Sequence, residues 1–165
     1  MASPPHKTLQ SFSGKWQLNK SCSDDFASVL ALQGVNFIVR KAASAASIHL
    51  KINQPDEQHI EMAQSWRTNK DDFFGDVAGR SRSIDVEEGK KAEVVGADNA
   101  PWIEGDSEGQ LIEAEGKRED VTLVARHLWG FEVVEGERRH TRRVYVKNDK
   151  GEELRVRMVY DFVGE

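Results

Sequence analysis

Val121-Thr-Leu-Val-Ala-Arg-His-Leu-Trp-Gly-Phe131, Arg138-Arg-His-Thr-Arg-Arg-Val-Tyr-Val-Lys147 and Glu153-Leu-Arg-Val-Arg-Met-Val-Tyr-Asp-Phe162 decide the fold. Each stretch alternates with period two, as strands do. Short turn sequences separate them: Val134-Glu-Gly-Glu and Asn148-Asp-Lys-Gly. Pivoting on these turns sets Trp129 against Arg142 and Met158, Phe131 against His140 and Tyr160, and His127 against Val144 and Val156. In that register the apolar sets of the three strands share a face. A slip of one residue would scatter them.

Working back toward the N-terminus, the same pattern recurs with lower contrast. Gln110–Glu115, Arg80–Val86 and Arg67–Phe74 read as strands, and residues 87–109 as an irregular acidic loop holding Pro101 and Trp102. Ile60, Met62, Gln64 and Trp66 share one face of a strand that returns from Ile48, Leu50 and Ile52 through a turn at Asn53-Gln-Pro-Asp-Glu. Only residues 23–44 read as helical. Ser23 is placed to cap a first helix carrying Phe26, Val29 and Leu30, Gly34 to stop it, and Asn36 to cap a second. Gly14-Lys-Trp-Gln-Leu-Asn19 is a strand before them. Hairpin after hairpin without crossover helices predicts an all-β, antiparallel up-and-down barrel of about 9–10 strands, with a helix-turn-helix lid between the first two. Residues 1–11 read as an N-terminal tail and residues 12–165 as a single domain.

Phe12-Ser-Gly-Lys-Trp16, the helical stretch through Ala31-Leu-Gln-Gly34-Val35, and the pair Arg40-Lys41 resemble the opening of the intracellular lipid-binding proteins, the fatty-acid-binding branch of the calycins. The resemblance implies a lidded barrel around a fatty acid, retinoid or similar molecule, with Trp16 plugging its closed end. The family usually places Arg-x-Tyr inside the last strand to take a carboxylate. Here the matching positions are Met158 and Tyr160, so the arginine is lost.

The bulk properties narrow the partners. The chain has 165 residues, 38% hydrophobic and 31% charged, with a net charge of −5. The acidic balance offers no general attraction to nucleic acid. Alternation splits the basic run Arg138–Arg143 between two faces, so it reads as a solvated strand. A lone Cys22 excludes an internal disulfide, and its position before a helix favours a thiolate without supplying a companion histidine. No run approaches the ~20 apolar residues of a membrane helix, and the first residues lack an apolar leader. A cytoplasmic protein is predicted. No cofactor motif or metal-ligand spacing stands out.

The candidate site is the inward wall. Trp129, Arg142, Met158 and Tyr160 line it, with Gln64, Trp66 and Arg82 from the other strands and Trp102 over the mouth. Arg142 is the most informative, because a buried guanidinium demands acceptors and Trp129 offers a cation–π face. His127, His140, Arg142 and Tyr160 are the candidate catalytic groups if the barrel is an enzyme. Two functions follow. One is carriage of a mostly apolar lipid-, polyketide- or terpene-like molecule bearing a polar group, and the resemblance places it first. The alternative is a cofactor-independent isomerase, cyclase (pericyclase) or dehydratase acting on such a molecule within the barrel.

Overall fold

The computed structural model describes residues 2–32, 34–56, 59–67, 72–74, 79–85, 110–118 and 121–165, and side chains outside 56–125. Strand β1 (Gly14–Leu18) leads into helices α1 (Ala27–Leu32) and α2 (Phe37–Ala45). Then come β2 (Ser47–Asp56), β3 (His59–Arg67), β4 (Asp72–Phe74), β5 (Gly79–Asp85), β6 (Gln110–Arg118), β7 (Val121–Val134), β8 (Glu137–Asn148) and β9 (Glu153–Gly164). The nine described strands form one sheet in the order β4-β3-β2-β1-β9-β8-β7-β6-β5. Every described ladder is antiparallel. This is the expected up-and-down meander: β1 and β9, the chain's two ends, meet in the middle of the order.

The β7–β8 turn shows why the register holds. Glu135 (φ 53°) and Gly136 (φ 78°) both adopt left-handed backbone, as a two-residue type I′ turn requires, and such a turn matches the twist of its strands. Both β7 and β8 are thereby locked residue by residue from Val134↔Glu137 to Leu123↔Asn148.

Several local expectations change. Ser23 does not cap α1. Its hydroxyl donates to Asn19 O and accepts from Val159 N (2.8 Å), so it continues the β1–β9 contact past the end of β1. Asp25 takes the capping position instead, accepting from Ala27 N. Asn36 caps α2 as expected, through Val39 N at 3.0 Å. Cys22 lies well before α1 begins, with Sγ 3.4 Å from Glu135 Oε2. The expected turn at Asn53–Glu57 is strand as far as Asp56, with an irregularity between Asn53 and Asp56. Gln54 holds that stretch in place: its side chain accepts from Phe12 N and donates to Leu9 O, while its backbone N donates to Ser13 Oγ. Arg67 closes β3 rather than opening β4.

Residues 2–12 pack against the sheet. Ser3 N donates to Arg138 O, and Ser3 Oγ accepts from His140 N (2.9 Å). Arg138 reaches Pro4 O and Lys7 O, and buried Lys7 donates to Ser13 O and pairs with Glu165. Over Trp16 lie Phe12, Phe131, His140 and Phe162, with ring centroids 5.1–6.3 Å away. Trp16 is therefore a fully buried structural residue, as the resemblance implies.

The basic strand is not solvated. Arg139, Thr141 and Arg143 are all buried; Glu132 on β7, itself buried, accepts from Arg143 Nε at 3.0 Å and from Thr141 Oγ1 at 2.9 Å. Arg139 pairs with Asp161 and Glu137. Alternation placed these residues correctly on the face opposite Arg142, but period two does not report what covers that face. Removing one partner of a buried pair leaves the other charge uncompensated, at a cost of about 3–5 kcal/mol. Glu132→Ala should therefore lower unfolding stability by about that much in urea titration. Glu132→Met combined with Arg143→Met should recover a large part of it.

Candidate functional site

Three adjoining rows across β7, β8 and β9 build the site. Trp129, Arg142 and Met158 form the middle row; Phe131, His140 and Tyr160 lie on the side of Trp16; His127, Val144 and Val156 lie on the other side. This is the register read from the two turns. Trp129, Met158, Tyr160, His140 and Arg142 are all buried, Arg142 being 7% exposed and Tyr160 and His140 fully enclosed.

Arg142 organises the polar atoms. Its Nε donates to His127 Nδ1 at 3.0 Å, and its guanidinium stands 5.7 Å from the Trp129 ring centre. Its charge also acts on the Tyr160 hydroxyl. A permanent cation in an apolar wall fixes the state of its neighbours. His127 accepts through Nδ1, so its proton sits on Nε2, and burial followed by the Arg142 charge holds its pKa well below the usual histidine value. Some of its surface stays accessible, but its depth in the wall governs its charge. Burial raises the Tyr160 phenol, and Arg142 partly offsets the rise. Tyr160 remains a neutral hydroxyl, its oxygen 3.7 Å from Met158 Sδ.

His140 is held more tightly. Nδ1 lies 3.1 Å from Gly130 O and donates to it. Phe12 meets the ring edge-on at 4.6 Å, and Tyr160 stacks on it at 5.0 Å. Burial pushes its pKa down to about 3, with Arg142 adding to the fall and the Gly130 bond opposing it. Both histidines are thus neutral at physiological pH. The acid–base roles suggested by their ordinary titration range give way to hydrogen bonding and orientation. What the patch offers chemically is a set of fixed donors and acceptors in an apolar enclosure.

The other candidates are placed by backbone register. Gln64 stands opposite Leu50 and Trp66 opposite Ile48, both partners being core residues. Arg82 stands opposite Glu113, which stands opposite Leu128. That is the row of Arg143, one step from the row of Trp129, so the register separates Arg82 from the wall patch it was grouped with. Trp102 lies outside the described residues.

A pocket of about 230 Å³ lies between the helices and the barrel, lined by Leu18, Phe26, Leu30, Ala43 and Ile48 with Lys20, Ser23, Asp24, Asp25 and Ser44 among its polar residues. Its described lining does not include the Arg142 patch. It adjoins the patch through Leu18, the ladder partner of Tyr160. The sequence carries the signals for it, namely Leu18 in alternation with Trp16 and Phe26–Leu30 at helical spacing.

Antiparallel strands in meander order, with a helix pair between the first two, are the arrangement that the resemblance to the fatty-acid-binding branch of the calycins implies. Solved structures similar to it include fatty-acid-binding protein 1 of Echinococcus granulosus (19% identity, TM-score 0.48, covering 92% of this chain and 97% of that one). A Schistosoma mansoni fatty acid binding protein in complex with arachidonic acid is also similar (12%, TM-score 0.46, 94% and 98%). Among curated proteins, the chain is 27% identical to the probable pericyclase scpY of Mollisia scopiformis, over 99% of this chain and 95% of that protein. It is 24% identical to the pericyclase pydY of Acremonium sp., over 99% and 98%. No family model matches the chain.

The enclosed His140 makes stability depend on pH. Its folded pKa of about 3 lies below the ordinary 6.5, so the unfolded chain binds the extra proton between those values. Stability is therefore fully present above about pH 6.5 and is lost as pH falls toward 3. Between pH 7 and pH 5 the loss from this residue is about 2 kcal/mol. Urea titrations at the two pH values should show at least that decrease, and His140→Phe should shrink it by about that amount, leaving the part that buried His127 contributes.

Proposed function

We propose that this chain is a pericyclase-type enzyme, which folds a mostly apolar polyene with a carbonyl-type oxygen inside its barrel and accelerates an intramolecular cyclisation. The end-to-end match to two proteins named as pericyclases carries this reading. The resemblance in the opening quarter puts carriage first. Relatives matched along nearly the whole chain reverse that order.

The wall patch suits the chemistry. In a pericyclic step the bonds reorganise within one cyclic array; no atom is gained or lost and no net proton moves. Such a reaction asks for a productive fold of the substrate and for donors to an oxygen conjugated with the reacting bonds. Apolar walls from Val144, Val156 and Met158 supply the first. Arg142 and Tyr160 supply the second, polarising the oxygen more strongly as charge develops on it. Neutral, hydrogen-bonded His127 orients Arg142 without competing as an acid. The pocket under the helices, with Leu18 beside Tyr160, supplies the way in. Such a reaction runs without a resident cofactor, and the cytoplasm is a suitable location.

The test is a linear triene bearing an α,β-unsaturated ketone that cyclises slowly unaided. The protein should raise the cyclisation rate and favour one stereoisomer. Arg142→Met should reduce the acceleration by about 10²-fold, Tyr160→Phe by less, and Arg142→Lys should restore part of it, all at matched folding. Recovery of the triene unaltered, with tight binding, would return the chain to the carriers.

A further inference from the structure

We propose that Trp129 Nε1 and His140 Nε2 form a subsite for a hydroxyl group on the ligand, the indole N–H donating to its oxygen and the imidazole nitrogen accepting its O–H. The inference rests on the reading that the barrel interior takes a ligand, and it adds which polar group that ligand carries. Both nitrogens are buried and lack a hydrogen-bond partner. A buried polar atom left unpaired costs about 1–3 kcal/mol, and native structures leave few of them without a purpose.

The polarity of the pair is fixed. His140 donates through Nδ1 to Gly130 O, which leaves Nε2 a bare acceptor, and the ring stays neutral across the physiological range. Its partner must therefore bring a hydrogen. Trp129 Nε1 can only donate, so its partner must bring a lone pair. A carbonyl answers the indole alone and an ammonium answers the imidazole alone. A hydroxyl answers both through one oxygen. The two rings are neighbours, their centres 6.4 Å apart. Trp129 and Arg142 share a row, so a ligand placing a carbonyl at Arg142 would set this hydroxyl toward Trp16.

Farnesol and its methyl ether distinguish donor from acceptor, since the ether keeps the oxygen and loses the hydrogen. Calorimetric titration of the full chain should show wild type preferring the alcohol about tenfold. His140→Phe should bring that ratio near one. Trp129→Phe should weaken both ligands about tenfold and leave the ratio standing. A wild-type ratio near one, or a ratio unchanged in His140→Phe, would mean that a water holds the two nitrogens and would overturn the subsite. Unchanged affinity in Trp129→Phe would overturn it whether or not His140→Phe folds. Cyclisation of the triene without an alcohol preference would sink the subsite and leave the enzyme reading intact. An alcohol preference with the triene unaltered would do the reverse.

Discussion

The hydrogen bond from Arg142 Nε to His127 Nδ1, 3.0 Å long and set in an apolar wall, constrains everything around it. A guanidinium cannot shed its proton in a protein, so each neighbour must adjust to it. His127 surrenders its acceptor nitrogen and stays neutral. Tyr160 keeps its proton but feels the cation, and Trp129 turns its ring face to it at 5.7 Å. The cost of holding a cation at this depth is offset only if donors and acceptors stay in register. That register comes from the β7–β8 turn, where Glu135 and Gly136 take the left-handed backbone.

The sheet segment β7–β9 is therefore polar at its centre on both faces. Inward it presents Arg142 with His127 and Tyr160. On the other face Glu132 collects Thr141 and Arg143. Adjacent residues on β8 thus serve two networks of different purpose. The Glu132 network pairs charges and fixes the strands. On the inward face Trp129 Nε1 and His140 Nε2 lack a hydrogen-bond partner; on the other face Glu132 Oε2 and Arg139 Nε lack one too, although both residues are ion-paired.

Much of this was legible in the sequence, and the limits have physical causes. Alternation and turn length give strand register directly, so the rows of Trp129, Arg142 and Met158 could be written down before any coordinates. Helix caps were half legible: Asn36 acts locally, whereas Ser23 is claimed by Val159, 136 residues away. The turn at Asn53 failed for the same reason, since Gln54 is fixed by Leu9, Phe12 and Ser13. Burial of the outer face of β8 was not legible either, because period two says which residues share a side and nothing about what covers it. Arg82 was grouped by parity along its own strand, and only the ladders through Glu113 and Leu128 reveal its row. The histidines were legible as inward residues but not as neutral ones, since neutrality follows from Arg142 and enclosure.

The proposed catalysis rests on the wall patch. A barrel that encloses an apolar molecule becomes a catalyst once its donors act on the reacting oxygen more strongly in the transition state than in the bound substrate. The most direct test of that claim is the carbonyl stretch of bound farnesal in the infrared spectrum. Donation from Arg142 and Tyr160 predicts a stretch at lower wavenumber than in hexane, moving back toward the hexane value in Arg142→Met. A hexane-like stretch in the wild-type complex, or a shift that survives Arg142→Met, would contradict the account.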